Sequence, residues 1–342
     1  MTTQPFHTLF AMLSTPRARR ILWLIASLLT GLSWLAMNDA DPDLWGHVLY
    51  GQEALEHGLE TKSSWNYTAI GYRWINHENL AELALAFADQ VGGAAGLLAL
   101  KSGLALLMLG TVIWRLQARS IHPWTIGAIV MVLAQTLAFH WHFRPQIFGY
   151  VLFTIAIALL DYSFAGWSGE WWLRRPPSAS DSEGTVSSPE YSWFRMRQLW
   201  WLIPLSALWT NTHGSFAAGV CVLVAYLGLR AIESLCIWGS AGWGRFRRFS
   251  LMAFGIAIAT LLTPYGPKLQ LWMLSALGVP RPEIADWQPL PLWTSEAAGF
   301  WLIVISTLFA SAKTSKFDFT HAVLMLLLSW QGVAHIRHLA WL

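Results

Sequence analysis

Charged residues are scarce in this chain. Asp, Glu, Lys and Arg make up only 12% of its 342 residues, whereas hydrophobic residues make up 55%, and the mean hydropathy is +0.43. Soluble domains carry a charged share of about 25%. The composition therefore excludes an ordinary soluble protein and predicts a chain that crosses a membrane several times.

Cysteine is almost absent as well. The two cysteines, Cys221 and Cys236, lie within or near one apolar segment, where cysteine acts as a small core residue. This excludes a disulfide framework, a zinc site made of cysteines and a thiol redox centre.

The net charge of the chain is +3, and its basic residues lie in short clusters between apolar segments. No surface that combines basic and aromatic residues suggests a nucleic-acid site. No nucleic acid is expected as a partner.

Apolar sequence is abundant. About nine windows are long enough to cross a hydrocarbon core of ~30 Å. They predict an all-α fold, a polytopic membrane helix bundle in a single domain over residues 1–342. The 23 tryptophans fit this class because indole rings collect at membrane interfaces. The predicted spans are 21–37, 93–114, 124–139, 147–164, 199–212, 216–238, 251–264, 300–312 and 321–336.

The basic residues predict the orientation of the bundle. Every second connection between the spans is basic, which marks the cytoplasmic side of a membrane protein. The N-terminus has arginines before its apolar run, so it is expected to be cytoplasmic and an uncleaved signal anchor in the plasma membrane. Residues 166–196, rich in Ser, Pro and Glu, are predicted to form a flexible cytoplasmic loop. The external side receives the long first loop, residues 39–92.

The first external loop contains two stretches with helical spacing of apolar residues, 51–59 and 79–91. They predict two interfacial helices, which would wall the mouth of a cavity under the acidic residues that open the loop. A connection of this length usually has a function of its own.

Two carboxylates open this loop. Asp41 and Asp43 flank Pro42, so in an extended or turn conformation their side chains lie near each other and raise each other's affinity for a proton or a cation. They are candidates for a catalytic base and for the ligands of a divalent metal cation such as Mg or Mn. A solvated acidic cap on the first span is the alternative.

Histidines stand at both ends of the same loop. His47 follows Asp41 closely and lies beside Trp45, and His77 precedes Glu78 in the segment W-I-N-H-E. Both histidines can reach one site. A hydrogen-bonded structural role is the alternative for each, and no i, i+4 pair of histidines supports zinc.

Four further polar residues complete the predicted site. Arg144 begins the fourth span on the external side, where a guanidinium can bind a lipid phosphate or pyrophosphate, or form a salt bridge to the loop carboxylates. Lys101 lies inside the second span and is expected to face a carboxylate or a lipid phosphate, or to extend to the surface. His213 and Tyr265 belong to external turns.

Five short motifs run through nearly the whole chain in order. They are D-P-D-L-W-G-H at 41–47, W-I-N-H-E at 74–78, R-P-Q at 144–146, N-T-H-G at 211–214 and P-Y-G at 264–266. In this combination the chain resembles the bacterial GT-C-type integral membrane glycosyltransferases. More narrowly, it is similar to a group of multi-span bacterial proteins with D-P-D-L-W-x-H after the first span.

The resemblance implies a sugar donor carried on polyprenyl phosphate, reached from the bilayer, and an external acceptor that is a lipid, a glycan or a protein. Asp41 matches the essential acidic position of the superfamily, as base or acceptor-orienting group, with Asp43 assisting it or holding a divalent cation. Arg144 would hold the donor phosphate, and His47 and His77 would shape the acceptor site. The other residues assigned to substrate binding are Trp45, Glu78, His213, Tyr265 and Lys101.

Two features depart from the wider superfamily. Pro42 stands where aminoarabinose and mannosyl transferases place a glutamate, which leaves open the metal requirement and the division of labour between Asp41 and Asp43. The chain also ends at Leu342, before the further spans that relatives usually have, as expected of a truncated member.

Two other functions are alternatives to glycosyl transfer. A polytopic lipid or solute transporter would also cluster charges in a membrane cavity, although its inverted repeats usually place them near the midplane, whereas these charges gather on one face. A catalytically inactive relative of the GT-C enzymes would have the same sequence pattern.

Overall fold

The computed structural model describes residues 15–37, 41–65, 67–167, 192–277, 279, 282–294, 297–313 and 318–341. These residues form twelve α-helices and no strand, apart from an isolated bridge between Lys62 and Arg73. The helices are α1 Pro16–Leu35, α2 Leu44–His57, α3 Asn79–Ala118, α4 Pro123–Ala138, α5 Gln146–Ser163, α6 Trp193–Arg197, α7 Leu202–Thr210, α8 Phe216–Trp238, α9 Trp243–Ala259, α10 Pro267–Leu277, α11 Ala297–Lys313 and α12 Phe319–Ala334.

Within the described ranges, four helical segments are long and apolar enough to cross a membrane: Pro16–Leu35, Asn79–Ala118, Gln146–Ser163 and Phe216–Ala259. The last comprises α8 and α9, which pack against each other and are joined by a short 3-10 turn. Helices α4, α11 and α12 are apolar but shorter. The all-α class and the presence of helices able to span a membrane are confirmed, and the count of about nine spans stays a prediction.

Helix α3 is two helices joined at a break, as the sequence predicts. Gly93 has φ +53° and ψ −138°, a backbone conformation open to glycine because it has no Cβ. The break separates the predicted 79–91 helix from the predicted 93–114 span. A Cβ on Gly96 would lie 2.1 Å from the Ala88 carbonyl oxygen, so the chain turns sharply at this point.

Helix α2 packs very closely on the first half of α3. A Cβ on Gly51 would lie 2.1 Å from the Glu82 carbonyl oxygen, so only glycine permits this approach. His47 lies one turn before Gly51 and therefore on the same face of α2. This face brings His47 over the acidic start of α3.

The turn between α7 and α8 is held by a buried indole. Trp209 is fully buried, and its Nε1 donates to Ser215 Oγ at 3.0 Å. A Cβ on Gly219 would lie 2.0 Å from the Trp209 ring, so the indole packs directly against α8 at this glycine. This packing fixes the turn that carries His213.

The predicted cytoplasmic loop at 166–196 falls mostly on residues 168–191, which lie outside the described residues. At its end, however, α6 begins at Trp193, so this part of the predicted loop is helical.

Candidate functional site

The segment before α2 brings two carboxylates to one guanidinium. The Asp43 amide donates to Asp41 Oδ1 at 2.9 Å, which holds the two acids side by side. In the turn before α5, Arg144 Nε lies 2.6 Å from Asp41 Oδ1 and Nη2 lies 3.2 Å from Asp43 Oδ2. Asp41 is buried, whereas 60% of the Asp43 side chain is exposed. Of the partners that the sequence allows for Arg144, the structure therefore contains the salt bridge to both aspartates.

A second polar cluster lies between α2 and the start of α3. His47 Nδ1 lies 3.0 Å from Glu82 Oε1 and 3.9 Å from Glu78 Oε2. The Asn76 side-chain amide donates to Glu82 Oε2, and Asn76 Oδ1 accepts from the Glu78 amide at 2.9 Å. Glu82 is almost fully buried, and 17% of the Glu78 side chain is exposed. Two carboxylates and one imidazole thus share a largely dry space.

Two more histidines flank Glu78. His213 Nε2 lies 3.3 Å and His77 Nε2 lies 3.6 Å from Glu78 Oε1. The Ser215 amide donates to His213 Nδ1 at 3.1 Å, so we assign the proton of the neutral His213 ring to Nε2, which lies beside Glu78. A Cβ on Gly214 would lie 3.0 Å from the His77 ring, so glycine at 214 leaves room for that histidine.

Burial decides the charge of these groups. It raises the pKa of Glu78 from 4.5 to about 7, lowers the pKa of His77 to about 4, and lowers the pKa of His213 well below 6.5. For His47, burial lowers the pKa, but the hydrogen bond to Glu82 and the neighbouring negative charges outweigh it, and the net pKa is raised. At neutral pH, Glu78 is therefore poised to exchange a proton beside two neutral histidines.

Glu78 lies at one end of a cavity of about 650 Å³. Its polar lining residues are His77, Glu78, Gln146, His213, Ser215, Gln331, Arg337 and His338. From this end the cavity follows α8, whose small residues from Ala217 to Ala225 face Leu324, Leu327 and Leu328 of α12. The cavity is thus polar at one end and apolar along most of its length.

The predicted site residues divide into two groups in the structure. His77, Glu78 and His213 line the cavity, whereas Asp41, Asp43, Arg144 and His47 are not among its lining residues. His47 is nevertheless coupled to the cavity through Glu78 and Glu82. Trp45 does not line the cavity either, and 56% of its surface is exposed.

Tyr265 and Lys101 have supporting contacts. The Tyr265 hydroxyl accepts from the Asn76 amide at 3.1 Å, so it positions the segment that carries His77 and Glu78. Lys101 is buried, as the sequence predicts for a lysine facing the bundle interior, and its Nζ donates to the Met37 carbonyl oxygen at 2.8 Å. A carbonyl at the end of α1 is therefore a partner of Lys101, a type of partner that the sequence did not suggest.

A divalent cation fits the second cluster better than the first. His47, Glu78 and Glu82 each offer one ligand atom, and these atoms lie within 4.8 Å of one another. Imidazole and carboxylate are common ligands of Zn²⁺ and Mn²⁺. Asp41 and Asp43, the pair that the sequence suggests as metal ligands, instead share the positive charge of Arg144.

Three contributors to the site were not assigned a role from the sequence. Glu82 follows Glu78 by one helical turn, a spacing that could have marked both as residues of one face. Asn76 stands within the W-I-N-H-E motif. Arg337 lies far along the chain, stacked on Trp287 at 4.6 Å, and no local sequence signal links it to the first external loop.

Replacing Glu78 by glutamine is expected to stabilise the protein increasingly as the pH rises. The raised pKa means that the native state favours protonated Glu78, so its stabilising contribution is complete below pH 4.5 and is lost as the pH rises through about 7. Glutamine imitates the protonated form at every pH. Thermal unfolding of both proteins in detergent between these pH values checks this, and a constant difference in melting temperature would contradict it.

Comparison with protein-family models, with curated proteins and with solved structures gives no match to this chain.

Proposed function

We propose that this protein is a membrane glycosyltransferase that moves a sugar from a polyprenyl-phosphate donor to an external acceptor. The observation that carries the proposal is the cavity that joins a long apolar wall to a polar end containing Glu78. Such a cavity is complementary to an amphiphile with a polar head and a hydrocarbon chain. The resemblance of the sequence motifs to GT-C enzymes supports the same substrate class.

The proposed setting is a bacterial plasma membrane with about nine spans and a cytoplasmic N-terminus, so that the site opens on the external face. Helix α2 and the first half of α3 would lie at that interface. Large apolar side chains on these helices support this placement, because Leu49, Leu55, Phe87 and Val91 are exposed.

The apolar part of the cavity would hold the first units of the polyprenyl chain. Its wall on α8 runs from Ser215 to Ala225, roughly 15 Å of helix at about 1.5 Å per residue. Small side chains on this wall leave the width that a branched hydrocarbon chain needs. The phosphate would then lie at the polar end, where Arg337 supplies a guanidinium.

Glu78 would act as the general base of the transfer. Its carboxylate takes the proton of the acceptor hydroxyl while the acceptor oxygen bonds to the anomeric carbon of the sugar. The bond between that carbon and the phosphate oxygen breaks, and polyprenyl phosphate leaves with the electron pair. His213 Nε2–H, beside Glu78, would orient the carboxylate.

This assignment moves the base from Asp41 to Glu78. Asp41 is paired with Arg144 and is not a lining residue of the cavity, whereas Glu78 is. Asp41, Asp43 and Arg144 would then position the start of α2, and with it His47. A divalent cation held by His47, Glu78 and Glu82 would occupy the carboxylate that serves as the base, so the proposed transfer uses Glu78 without a metal.

Filling the apolar end of the cavity tests the proposal. With radiolabelled polyprenyl-phosphate sugars in bilayers, Ala225→Phe is expected to raise the KM at least tenfold for long-chain donors and to change it little for short-chain donors. Ala257→Phe is the matched control, because Ala257 is exposed and lies outside the cavity. Two results would contradict the proposal. One is unaltered kinetics for Ala225→Phe, and the other is no donor consumption by the wild type over a broad donor panel.

A transporter is the second candidate function, favoured by one observation. Arg230 and Glu233 of α8 are fully buried and pair with each other, and Arg230 also pairs with Asp318. Charges inside a helix bundle often mark an ion or substrate pathway. Movement of labelled lipid across proteoliposomes without donor consumption would favour this function.

A further inference from the structure

A basic cleft of about 560 Å³ is lined by Arg73 and Trp74, which lie a few residues before His77 and Glu78 of the cavity. Its lining includes three exposed cations, Lys62, Arg73 and Lys268, together with Trp74 and Tyr265, and no carboxylate from the described residues. Within the described part of the chain, none of the three cations forms an ion pair. This concentration of positive charge stands on the side of the protein predicted to be external, against the usual bias of basic residues toward the cytoplasm.

The cations are held on an ordered backbone. Lys62 and Arg73 form an antiparallel bridge, and the Trp74 amide donates to the Thr61 carbonyl oxygen at 2.9 Å. The Trp74 ring packs on Tyr50 of α2, with 5.7 Å between centroids, which fastens this turn to the helix. Lys268 completes the cleft from the first turn of α10. The spacing of the three charges is thus set by the fold.

The turn between the bridged residues ends in an apolar and aromatic tip. Tyr67 is 87% exposed, Ile70 65% and Tyr72 72%. Exposing three such side chains to water is unfavourable, whereas tyrosine and isoleucine are stable at the boundary between headgroups and acyl chains. The tip therefore fits insertion into the membrane surface, with the cleft at the level of the headgroups.

We infer that this cleft binds the phosphate of an anionic membrane lipid. A phosphate offers several charged oxygens, which suit the paired donors of Arg73 and the point charges of Lys62 and Lys268. Because the exposed tip inserts into the membrane surface, the cleft would bind the phosphate of a bilayer lipid in preference to a phosphate free in water. Bound lipid would fix the loop that continues through Trp74 to His77 and Glu78, so the cleft would order one wall of the cavity. The inference does not depend on the reaction proposed for the cavity.

Lipid titration of the full-length protein in uncharged detergent tests the inference. Native mass spectrometry would count bound short-chain phosphatidylglycerol and, separately, phosphatidylcholine. The combined change Lys62→Gln, Arg73→Gln and Lys268→Gln is expected to weaken phosphatidylglycerol binding about 100-fold, at about fivefold for each cation near an anionic surface. The wild type should prefer phosphatidylglycerol over phosphatidylcholine.

Two control variants show whether the loss of phosphatidylglycerol binding arises at the cleft. Neutralising the three exposed arginines at the start of α1, by Arg17→Gln, Arg19→Gln and Arg20→Gln, removes the same charge and should leave phosphatidylglycerol binding within twofold. Replacing the tip residues Tyr67, Ile70 and Tyr72 with serine should weaken lipid binding while inorganic phosphate, measured by calorimetry, still binds. Equal melting temperatures would show that all variants are folded.

Three results would overturn the inference. One is equal binding of phosphatidylglycerol and phosphatidylcholine by the wild type. Another is an equal loss for the cleft variant and for the arginine control, which would show a general effect of charge. The third is binding of inorganic phosphate that is lost in the cleft variant while phosphatidylglycerol binding is unchanged in that variant, which would assign the cleft to a free phosphate.

Discussion

Glu78→Gln is expected to lower the rate of sugar transfer by about 10²- to 10⁴-fold, the range typical of a lost general base. Glutamine keeps the shape of the side chain and its contacts with the histidines, but it cannot take the acceptor proton. For the wild type, the rate should rise with pH through an apparent pKa near 7, because the carboxylate is the active form. Donor consumption measured from pH 5.5 to pH 8.5 checks both the size of the loss and the profile.

Two comparisons make this result specific. Glu78→Asp keeps a carboxylate and should recover part of the rate while shifting the pH profile. Asp41→Asn weakens the ion pair with Arg144 and should lower stability more than it lowers the rate of the folded fraction. If Asp41→Asn abolishes transfer in a folded protein while Glu78→Gln keeps it, the base is Asp41, as the family resemblance implies.

Arg230→Met is expected to lower the free energy of unfolding by about 3–5 kcal/mol, the usual cost of removing one partner from a buried charge cluster. Arg230 Nη1 lies 2.8 Å from Glu233 Oε2, and Nη2 lies 2.6 Å from Asp318 Oδ2. Both Arg230 and Glu233 are fully buried, so methionine leaves the Glu233 carboxylate in the core without a cation, with only the Trp167 Nε1 hydrogen bond at 2.8 Å remaining. Unfolding by SDS in mixed micelles measures the loss.

The matched control for this change is Arg115→Met. Arg115 pairs with Asp161, whose side chain is 32% exposed and also bound by Arg119, so the carboxylate keeps a cation and access to water. Because Arg115 is itself mostly buried and only its partner reaches water, we expect a loss of about 1–2 kcal/mol, smaller than that for Arg230→Met. Adding Glu233→Gln and Asp318→Asn to Arg230→Met should restore most of the stability. Similar losses for Arg230→Met and Arg115→Met would show that burial of the carboxylate partner does not determine the loss of stability.

Local features of the fold could be predicted from the sequence because they depend on neighbouring residues. The 79–91 helix, the break at Gly93 and the following span are examples, since helical periodicity and glycine act over a few positions. The composition likewise indicated a helical chain with membrane-spanning segments. The number of spans does not follow so directly, because short apolar helices such as α4, α11 and α12 can lie within a bundle.

The set of residues that form the site was harder to predict. The sequence selected His77, Glu78 and His213, which the structure brings to one end of the cavity. It gave the central role to Asp41 because that residue opens the D-P-D-L-W-G-H motif, yet the structure pairs Asp41 with Arg144. Glu82 has the residue type of an ordinary solvated helix carboxylate, and its burial and its contacts with His47 and Asn76 in the structure mark it as part of the site.

By itself, the sequence determined the helical, membrane-spanning class, the break in α3 and a set of polar residues that belong together. Only the tertiary structure decided which of them share a site, since that depends on how closely helices approach. Gly51 lets α2 lie against the Glu82 backbone and so brings His47 to both glutamates. The packing of α8 with α12 then places the apolar part of the cavity beside Glu78. These segments are far apart in the chain, so no local sequence pattern could predict that they meet.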